Sequence, residues 1–415
     1  MQNKKRIALV TPWFGENGTG GSQILATQLA RELFAPAEGV DILTTCSRAF
    51  EDDWSKNYYT EGTRRAGNVT VRRFGVRKRD TAAFNCANEF LLSQPREWLV
   101  KNARRIPAGV AAAFCGESIG SPGLLQYLSD WGRRYHAVIF TPYLYGPVLQ
   151  GVELLGERAF LQPCLHDEAY AYLPQVREIF RAAKGLLFNS QAEYSLALRL
   201  YGKAIASKSF VVGHWVDEPR RITGTLRRAA PDGRFVLYVG RADPAKNVPA
   251  LMRAFSNYRR YGGGSALRLV LAGNGTADIA CGDGVLALGE VGDELKHALL
   301  GGCVALAQPS VSESFSRTVL EAWSYGKPVA VNGNCEATAA AVAQCGGGWI
   351  ASSTRDWIDV FAAIDRASDA TLRRLGELGV RYYLANGTPA RVLERYRVAL
   401  DLGGSAGAQP LAARR

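Results

Sequence analysis

Short apolar runs alternate with amphipathic stretches along most of the chain, and this alternation predicts strands and helices in turn. Residues 7–11 read as a strand, 22–34 as a helix, and 40–44 and 69–74 as further strands. The pattern resumes with strands at 136–140, 159–163 and 185–188, with helical stretches between them. Residues 75–135 fit less cleanly and read as helices and loops inserted at the edge or mouth of the sheet. A second series follows: a strand at 235–239, a helix at 248–258, strands at 267–271, 285–288 and 303–306, a helix at 317–325 and a strand at 328–331. Residues 354–402 read as wholly helical, with Gly376, Gly379 and Gly387 as breaks. Strands separated by helices build parallel sheets covered on both faces, so each series predicts an α/β, doubly wound, Rossmann-like domain.

Two such domains suit the length. A chain of 415 residues exceeds the roughly 250–300 residues at which one core stops growing. The expected division is an N-terminal domain at 1–214, a second at 233–387, a helix at 388–402 crossing back to the first, and a disordered Gly/Ala-rich tail at 403–415. The linker is expected near 214–232, where Pro219, Gly224 and Pro231 interrupt a charged stretch. A hydrophobic content of 47% spread over short segments excludes disordered and fibrous classes. The first apolar run is too short for a signal-peptide core, and no stretch reaches the roughly 18 apolar residues of a membrane span. A cytoplasmic location is therefore expected. The eight cysteines form no CxxC pair and the four histidines no zinc pattern, so reduced thiols and no metal site are expected.

A net charge of +12 permits phosphate-rich ligands, nucleic acid or an anionic membrane as partners. The densest cluster is Arg64, Arg65, Arg72, Arg73, Arg77, Lys78 and Arg79. Nearby, residues 96–106 set Trp98, Leu99 and Ile106 among Arg96, Lys101, Arg104 and Arg105, the composition of a basic helix that lies on anionic lipid. Peripheral attachment to the inner face of the cell membrane is one expectation. An ordinary solvated helix is the other.

Two segments carry chemistry. YVGRADPAKN (238–247) ends a strand at Gly240 and releases Arg241 and Lys246 beyond the carboxyl end of the sheet. Arginine offers a fork of donors and lysine a compact charge, a pair suited to a diphosphate. ESFSRTVLEAWSYGKPVAV (313–331) separates Glu313 from Glu321 by seven residues. Glu313 precedes a helix opening near Ser316, where free N–H groups suit an anionic ligand, and Glu321 rides the helix and can accept from a diol. The acidic run Glu51-Asp52-Asp53 lies far from both and reads as a surface loop.

In VGRADPAKN, in Glu313 and Glu321 followed by GKPV, and in GGSQ at 20–23, the sequence resembles the GT-B glycosyltransferases, and among them the retaining family called glycosyltransferase family 4 or group 1. The resemblance spans roughly 5–402 and is densest over 235–335. It implies a GT-B fold, two Rossmann-like domains with a cleft between them and a helical C-terminal segment. It implies that Arg241 and Lys246 bind the diphosphate of a UDP- or GDP-sugar, that Glu313 contacts the sugar, and that Glu321 holds the ribose. Amides at Phe315, Ser316 and Arg317, with Thr318, would face sugar and phosphates; Gly20, Gly21 and Ser22 would approach the phosphates from the other domain. His166, with Asp167, matches the family's histidine beside the transferred sugar. No nucleophile is required, because the leaving phosphate helps to deprotonate the acceptor; separately, no essential divalent metal or other cofactor is expected. A lipid-linked or surface-polysaccharide acceptor is expected on family grounds, with no nucleic acid partner. Ser316 stands where the family usually has glycine, Arg317 where a smaller or apolar residue is common, and GGSQ where GGxE is frequent. A nucleotide-sugar epimerase of the same architecture and a non-catalytic nucleotide-sugar scaffold are the alternatives. A dinucleotide oxidoreductase is weaker, since GTGGS lacks the G-x-G-x-x-G spacing.

Overall fold

The apolar run near the start of the chain forms strand β1 (Ile7–Thr11), buried along its whole length. A computed structural model describes residues 5–15, 21–33, 39–67, 69–221, 230–261 and 265–402. The chain divides into one unit of Met1–Val212 with Leu393–Arg415 and another of Gly213–Val392.

In the first unit β1 is followed by β2 (Val40–Thr45), β3 (Gly62–Ala66), β4 (Val69–Phe74), β5 (Ala137–Phe140), β6 (Ala159–Leu161), β7 (Gly185–Phe188) and β8 (Ser209–Val211). They form one sheet in the order β3-β4-β2-β1-β5-β6-β7-β8. Ile7 stands beside Val40 on one side and Ala137 on the other, both in parallel register. Among the described residues of this sheet, only the edge pair β3 and β4 is antiparallel. The poorly patterned region between β4 and β5 is four helices, Thr81–Leu92, Arg96–Asn102, Ala108–Gly116 and Pro122–Trp131. Phe84, Leu91, Leu99, Phe114, Leu124 and Leu128 turn inward and join the core beside the sheet.

The second unit adds β9 (Phe235–Val239), β10 (Arg268–Ala272), β11 (Val285–Ala287), β12 (Ala305–Gln308), β13 (Val329–Asn332) and β14 (Gly348–Ala351). Their order is β11-β10-β9-β12-β13-β14, parallel throughout. Counted from its own first strand this is 3-2-1-4-5-6, the dinucleotide-fold order, which reverses between β9 and β12. Both faces are covered, which explains why the strands are apolar at successive positions. Val236 and Tyr238 join a core with the helices Val248–Tyr261 and Thr354–Arg366, whereas Phe235 and Leu237 face Asp293–Gly302 and Arg317–Ser324.

The structure differs from the sequence reading at the domain boundary and in the C-terminal helices. His214, Trp215 and Val216, expected at the end of the first domain and in the linker, belong to the second unit and are buried. Val216 N–H donates to Gly387 O at 3.2 Å. Part of the remaining linker, 222–229, and the tail at 403–415 lie outside the described residues. The C-terminal helical segment breaks after Arg366 and after Asn386, giving Thr354–Arg366, Asp369–Asn386 and Pro389–Ala399. Gly376 and Gly379 therefore lie inside a helix. They are there for close approach: a Cβ on Gly376 would lie 1.9 Å from Gly326 O, and one on Gly379 1.9 Å from Trp323 Cδ1. Beyond this helix, Leu400 O meets His136 Nε2 at 2.7 Å within the first unit.

Trp323 is buried and its indole N–H donates to Gly347 O at 3.0 Å, so it has little room to yield. Gly379→Ala is expected to lower stability by about 1–3 kcal/mol through overpacking. Urea unfolding checks this, and an unchanged midpoint would show that the helix can shift.

Candidate active site

β9 and β12 flank the reversal of strand order, and both loops leaving them carry charge. Gly240 N–H donates to Ala272 O and Ala242 N–H to Asn274 O, each at 2.9 Å, so the loop after β9 runs against the loop after β10. Gly273 makes this possible: its φ is +127°, and a Cβ there would lie 2.1 Å from Gly240 O. The next loop is tied on as well, with Gly273 N–H donating to Gly289 O at 2.7 Å. Asp243 then caps the short turn Pro244–Lys246 by accepting from Lys246 N–H at 3.2 Å. Its other oxygen lies 3.1 Å from Arg241 Nη2, which fixes the guanidinium beside the turn.

The loop after β12 is anchored at its start, where Asn332 Nδ2 donates to Pro309 O at 2.9 Å. Val311 N–H donates to Ala245 O at 3.3 Å and joins the two charged loops directly. Lys246 Nζ consequently reaches Glu313 Oε1 at 2.6 Å, with the side chains 23% and 13% exposed. Farther along, Glu321 Oε1 accepts from Lys296 Nζ at 2.9 Å, while its Oε2 is buried with no hydrogen-bond partner. A buried acceptor without a donor costs about 1–3 kcal/mol. Arg241, Lys246, Glu313 and Glu321 are thus gathered on connected loops and the helix they lead into.

The residues between the glutamates resolve how the unusual Ser316 and Arg317 are accommodated. Ser316 stands at the N-cap of Arg317–Ser324, yet its side chain makes no capping bond. Its Oγ accepts from Gln308 Nε2 at 3.1 Å, and the same amide group donates to Thr318 Oγ1 at 3.0 Å. Arg317 turns inward, donating through Nη1 to Trp215 O at 2.9 Å, and burial holds its pKa below the usual range. The buried His214 ring stacks on Phe315 with centroids 5.1 Å apart. Burial, with Arg317 nearby, pushes the His214 pKa down to about 3, so the ring is neutral at physiological pH.

In the first unit, Gly21 opens the helix Gly21–Gln28 with Ser22 in its first turn, and Gly20 lies outside the described residues. His166 follows β6, with Nδ1 3.8 Å from Glu168 Oε1, a carboxylate oxygen that also accepts from Tyr143 OH at 2.7 Å. Asp167 is committed to bracing: it accepts from Arg96 Nε at 2.7 Å and from Tyr172 OH at 2.7 Å. Sequence reasoning missed Glu193, whose buried carboxylate accepts from the N–H groups of Leu165 and Asn189 at 2.6 and 2.5 Å. The S-x-x-E spacing of Ser190 and Glu193 was the available signal, since Ser190 caps Gln191–Tyr201. Lys296 and Gln308 left no such trace.

The basic cluster is largely turned to internal use. Arg73 donates to Phe14 O at 2.8 Å, Arg77 pairs with Glu117 at 3.2 Å, and Arg79 donates to Glu117 O at 2.9 Å. Arg72 lies 3.5 Å from the buried Asp41. In the helix Arg96–Asn102, Leu99 is buried and Trp98 packs against the unit's own core, as Ile106 does beyond it. Trp98 is only partly buried, and Val100 on the same helix is 59% exposed. In the run 51–53, Asp52 pairs with Arg48 and Asp53 accepts from Ser55 N–H. No helix among the described residues is long and apolar enough to cross a membrane.

Residues 233–369 match the family model described as Glycosyl transferases group 1. Sucrose-phosphate synthase from Thermosynechococcus elongatus is similar over 96% of this chain and 99% of its own, at 18% identity and a TM-score of 0.67. An α,α-trehalose-phosphate synthase (UDP-forming) from Burkholderia vietnamiensis is similar over 96% and 100%, at 12% identity and a TM-score of 0.65. HepE of Anabaena, solved in complex with UDP-glucose, is similar over 96% and 100%, at 13% identity and a TM-score of 0.66. No curated protein sequence matches the chain. The architecture is GT-B, two Rossmann-like domains with a helical C-terminal segment. Residues 233–369 of the second unit match a group 1 glycosyltransferase domain, and this match indicates an enzyme of the glycosyltransferase class.

Proposed function

We propose that the protein moves a hexose-type sugar from a UDP- or GDP-sugar to a hydroxyl of a lipid-linked or surface-polysaccharide acceptor, with retention at the anomeric carbon. The observation that carries the donor reading is the gathering of Arg241, Lys246 and Glu313 at the carboxyl ends of β9 and β12, with Lys246 and Glu313 in contact at 2.6 Å. A diphosphate is a compact dianion or trianion, and two cations at a strand-order reversal suit it. Glu313 then meets sugar hydroxyls, and Glu321 accepts from the ribose diol, which supplies donors to a carboxylate with an unsatisfied oxygen. The solved complex of HepE with UDP-glucose supports a nucleotide-sugar donor.

In the chemistry, the bond from the anomeric carbon to the phosphate oxygen breaks as the acceptor oxygen bonds to the same face. The departing phosphate takes the acceptor proton. Arg241 and Lys246 stabilise the negative charge that develops on the nucleotide, a contribution larger in the transition state than in the bound substrate. His166 is assigned the contact with the transferred sugar, and no metal is assigned a role.

A panel of nucleotide sugars, tested by thermal shift in the presence of EDTA, checks the donor. A UDP- or GDP-sugar at 100 times its Kd is expected to stabilise the protein by about 2.7 kcal/mol. Absence of a shift with every nucleotide sugar would sink the reading. Labelled donor with a polyprenyl-linked saccharide then checks transfer, and conversion of the donor without acceptor would favour an epimerase.

A further inference from the structure

The imidazole of His214 is fixed on two sides by residues that follow Glu313. One face of the ring stacks on Phe315, with centroids 5.1 Å apart and planes 18° from parallel. The backbone beside it is held by Arg317, whose Nη1 donates to Trp215 O at 2.9 Å, and Trp215 is itself buried. The ring is therefore well placed, yet its nitrogens are unused. Nδ1 is sealed from solvent without a hydrogen-bond partner, and Nε2, which is not sealed, has no partner among the described residues either. His214 is only 6% exposed, and an apolar side chain of similar shape would fill its place without stranding a polar atom. A buried polar group that the protein itself leaves unpaired is rare enough to require a cause.

We infer that His214 is a donor-binding residue whose Nε2–H donates a hydrogen bond to a phosphate of the nucleotide sugar. The role rests on the donor reading above and adds to it a residue that neither charged loop supplies. A neutral imidazole carries one proton, and assigning it to Nε2 makes the open nitrogen the donor and leaves the sealed Nδ1 with its lone pair. Arg317 lies near enough to oppose protonation of the ring, so the surroundings are positive and an anion is the acceptor they favour. A neutral N–H bonded to an ionised oxygen makes a charge-assisted bond without adding a further cation to the site. Its readiness also differs from that of the charged residues. Lys246 and Arg241 are engaged by Glu313 and Asp243 in the free protein, at 2.6 and 3.1 Å. His214 has no bond to break before it receives a ligand.

UDP and GDP serve as probes, with affinity measured by calorimetry on the full chain and thermal midpoints recorded without nucleotide. His214→Phe keeps an aromatic ring for Phe315 to stack on and has no nitrogen. It is expected to bind the better nucleotide about tenfold more weakly, the loss of one hydrogen bond to a charged group. His214→Leu repeats the nitrogen-free arm with a smaller side chain. The midpoint of at least one of these two should not fall, because neither loses a hydrogen bond within the protein. His214→Gln gives up the stack but keeps an N–H at similar reach, and its affinity is expected to stay within about threefold of wild type. A ring that only supports Phe315 predicts the reverse order, with His214→Phe retaining affinity and His214→Gln losing it. Wild-type affinity in either nitrogen-free variant, or a loss in His214→Gln as large as in His214→Phe, overturns the inference and leaves the donor reading in place. Failure of the wild type to bind either nucleotide overturns both.

Discussion

Lys246→Ala is expected to reduce the rate of sugar transfer by about a thousandfold while the protein remains folded. Lys246 ends a turn capped by Asp243, so its backbone is fixed independently of what its ammonium touches. In the free protein that ammonium is held by Glu313 at 2.6 Å. Under the proposed reaction it meets the diphosphate, whose charge grows as the sugar leaves, so the loss should fall on kcat as well as KM. Stability should change less than activity. The pair is not fully withdrawn from water, with 23% and 13% of the side chains exposed, so leaving Glu313 unpaired costs less than the roughly 3–5 kcal/mol of breaking a fully buried pair. Lys246→Arg is the informative companion: it keeps the charge, but its planar fork does not reproduce the compact ammonium. Steady-state rates and urea midpoints for both variants check the argument, and a Lys246→Ala rate within threefold of wild type would remove Lys246 from the site.

Glu313→Ala should also lower transfer by orders of magnitude, but with a different signature. Losing a contact to sugar hydroxyls leaves the nucleotide's own contacts in place, so affinity for the bare nucleoside diphosphate should survive. The two alanine variants together therefore distinguish a phosphate ligand from a sugar ligand.

How far the sequence reveals the site follows from the range of the interactions. Arg241, Lys246, Glu313 and Glu321 could be picked out because the charge pattern lies within short segments and because strand ends are where such sheets bind ligands. The strands of the second sheet were legible for the same reason, as apolar runs such as 235–239 flanked by helical periodicity. β14 escaped because its apolar run, 349–351, is only three residues long and follows Gly346, Gly347 and Gly348, which read as a turn. Residues 75–135 escaped because Thr81–Leu92 and Ala108–Gly116 carry alanine and cysteine on several sides, which blurs a 3.6-residue stripe. Gly376 and Gly379 were misread because glycine signals both helix breaking and close packing, and only the positions of Gly326 and Trp323 distinguish the two. Lys296 lies 25 residues before Glu321, and nothing local announces that neighbouring helices will bring them to 2.9 Å. The tether from Gln308 to Ser316 is equally silent in sequence, since an amide at the end of a buried strand reads as an interruption of the apolar pattern.

Glu193 gives the second large effect, on stability. Its carboxyl accepts from the N–H groups of Asn189 and Leu165, and Leu165 directly precedes His166. Burial dominates and pushes its pKa from 4.5 up to about 8, while these main-chain donors pull the other way. For an acid whose pKa is raised in the folded state, the native protein binds more protons than the unfolded chain between the two values. Stability is then fully present below pH 4.5 and is lost as pH rises toward about 8. The slope is at most about 1.4 kcal/mol per pH unit, one proton's worth. Glu193→Gln removes the titration and keeps an acceptor, so its urea midpoint should vary less over that window, and the difference between wild type and variant should shift against the wild type as pH rises. Because the same carboxyl anchors the residue before His166, transfer by the wild type should weaken over the same interval at temperatures near unfolding. Parallel stability curves for the two proteins would instead mean that the main-chain donors outweigh burial and keep the carboxylate charged throughout.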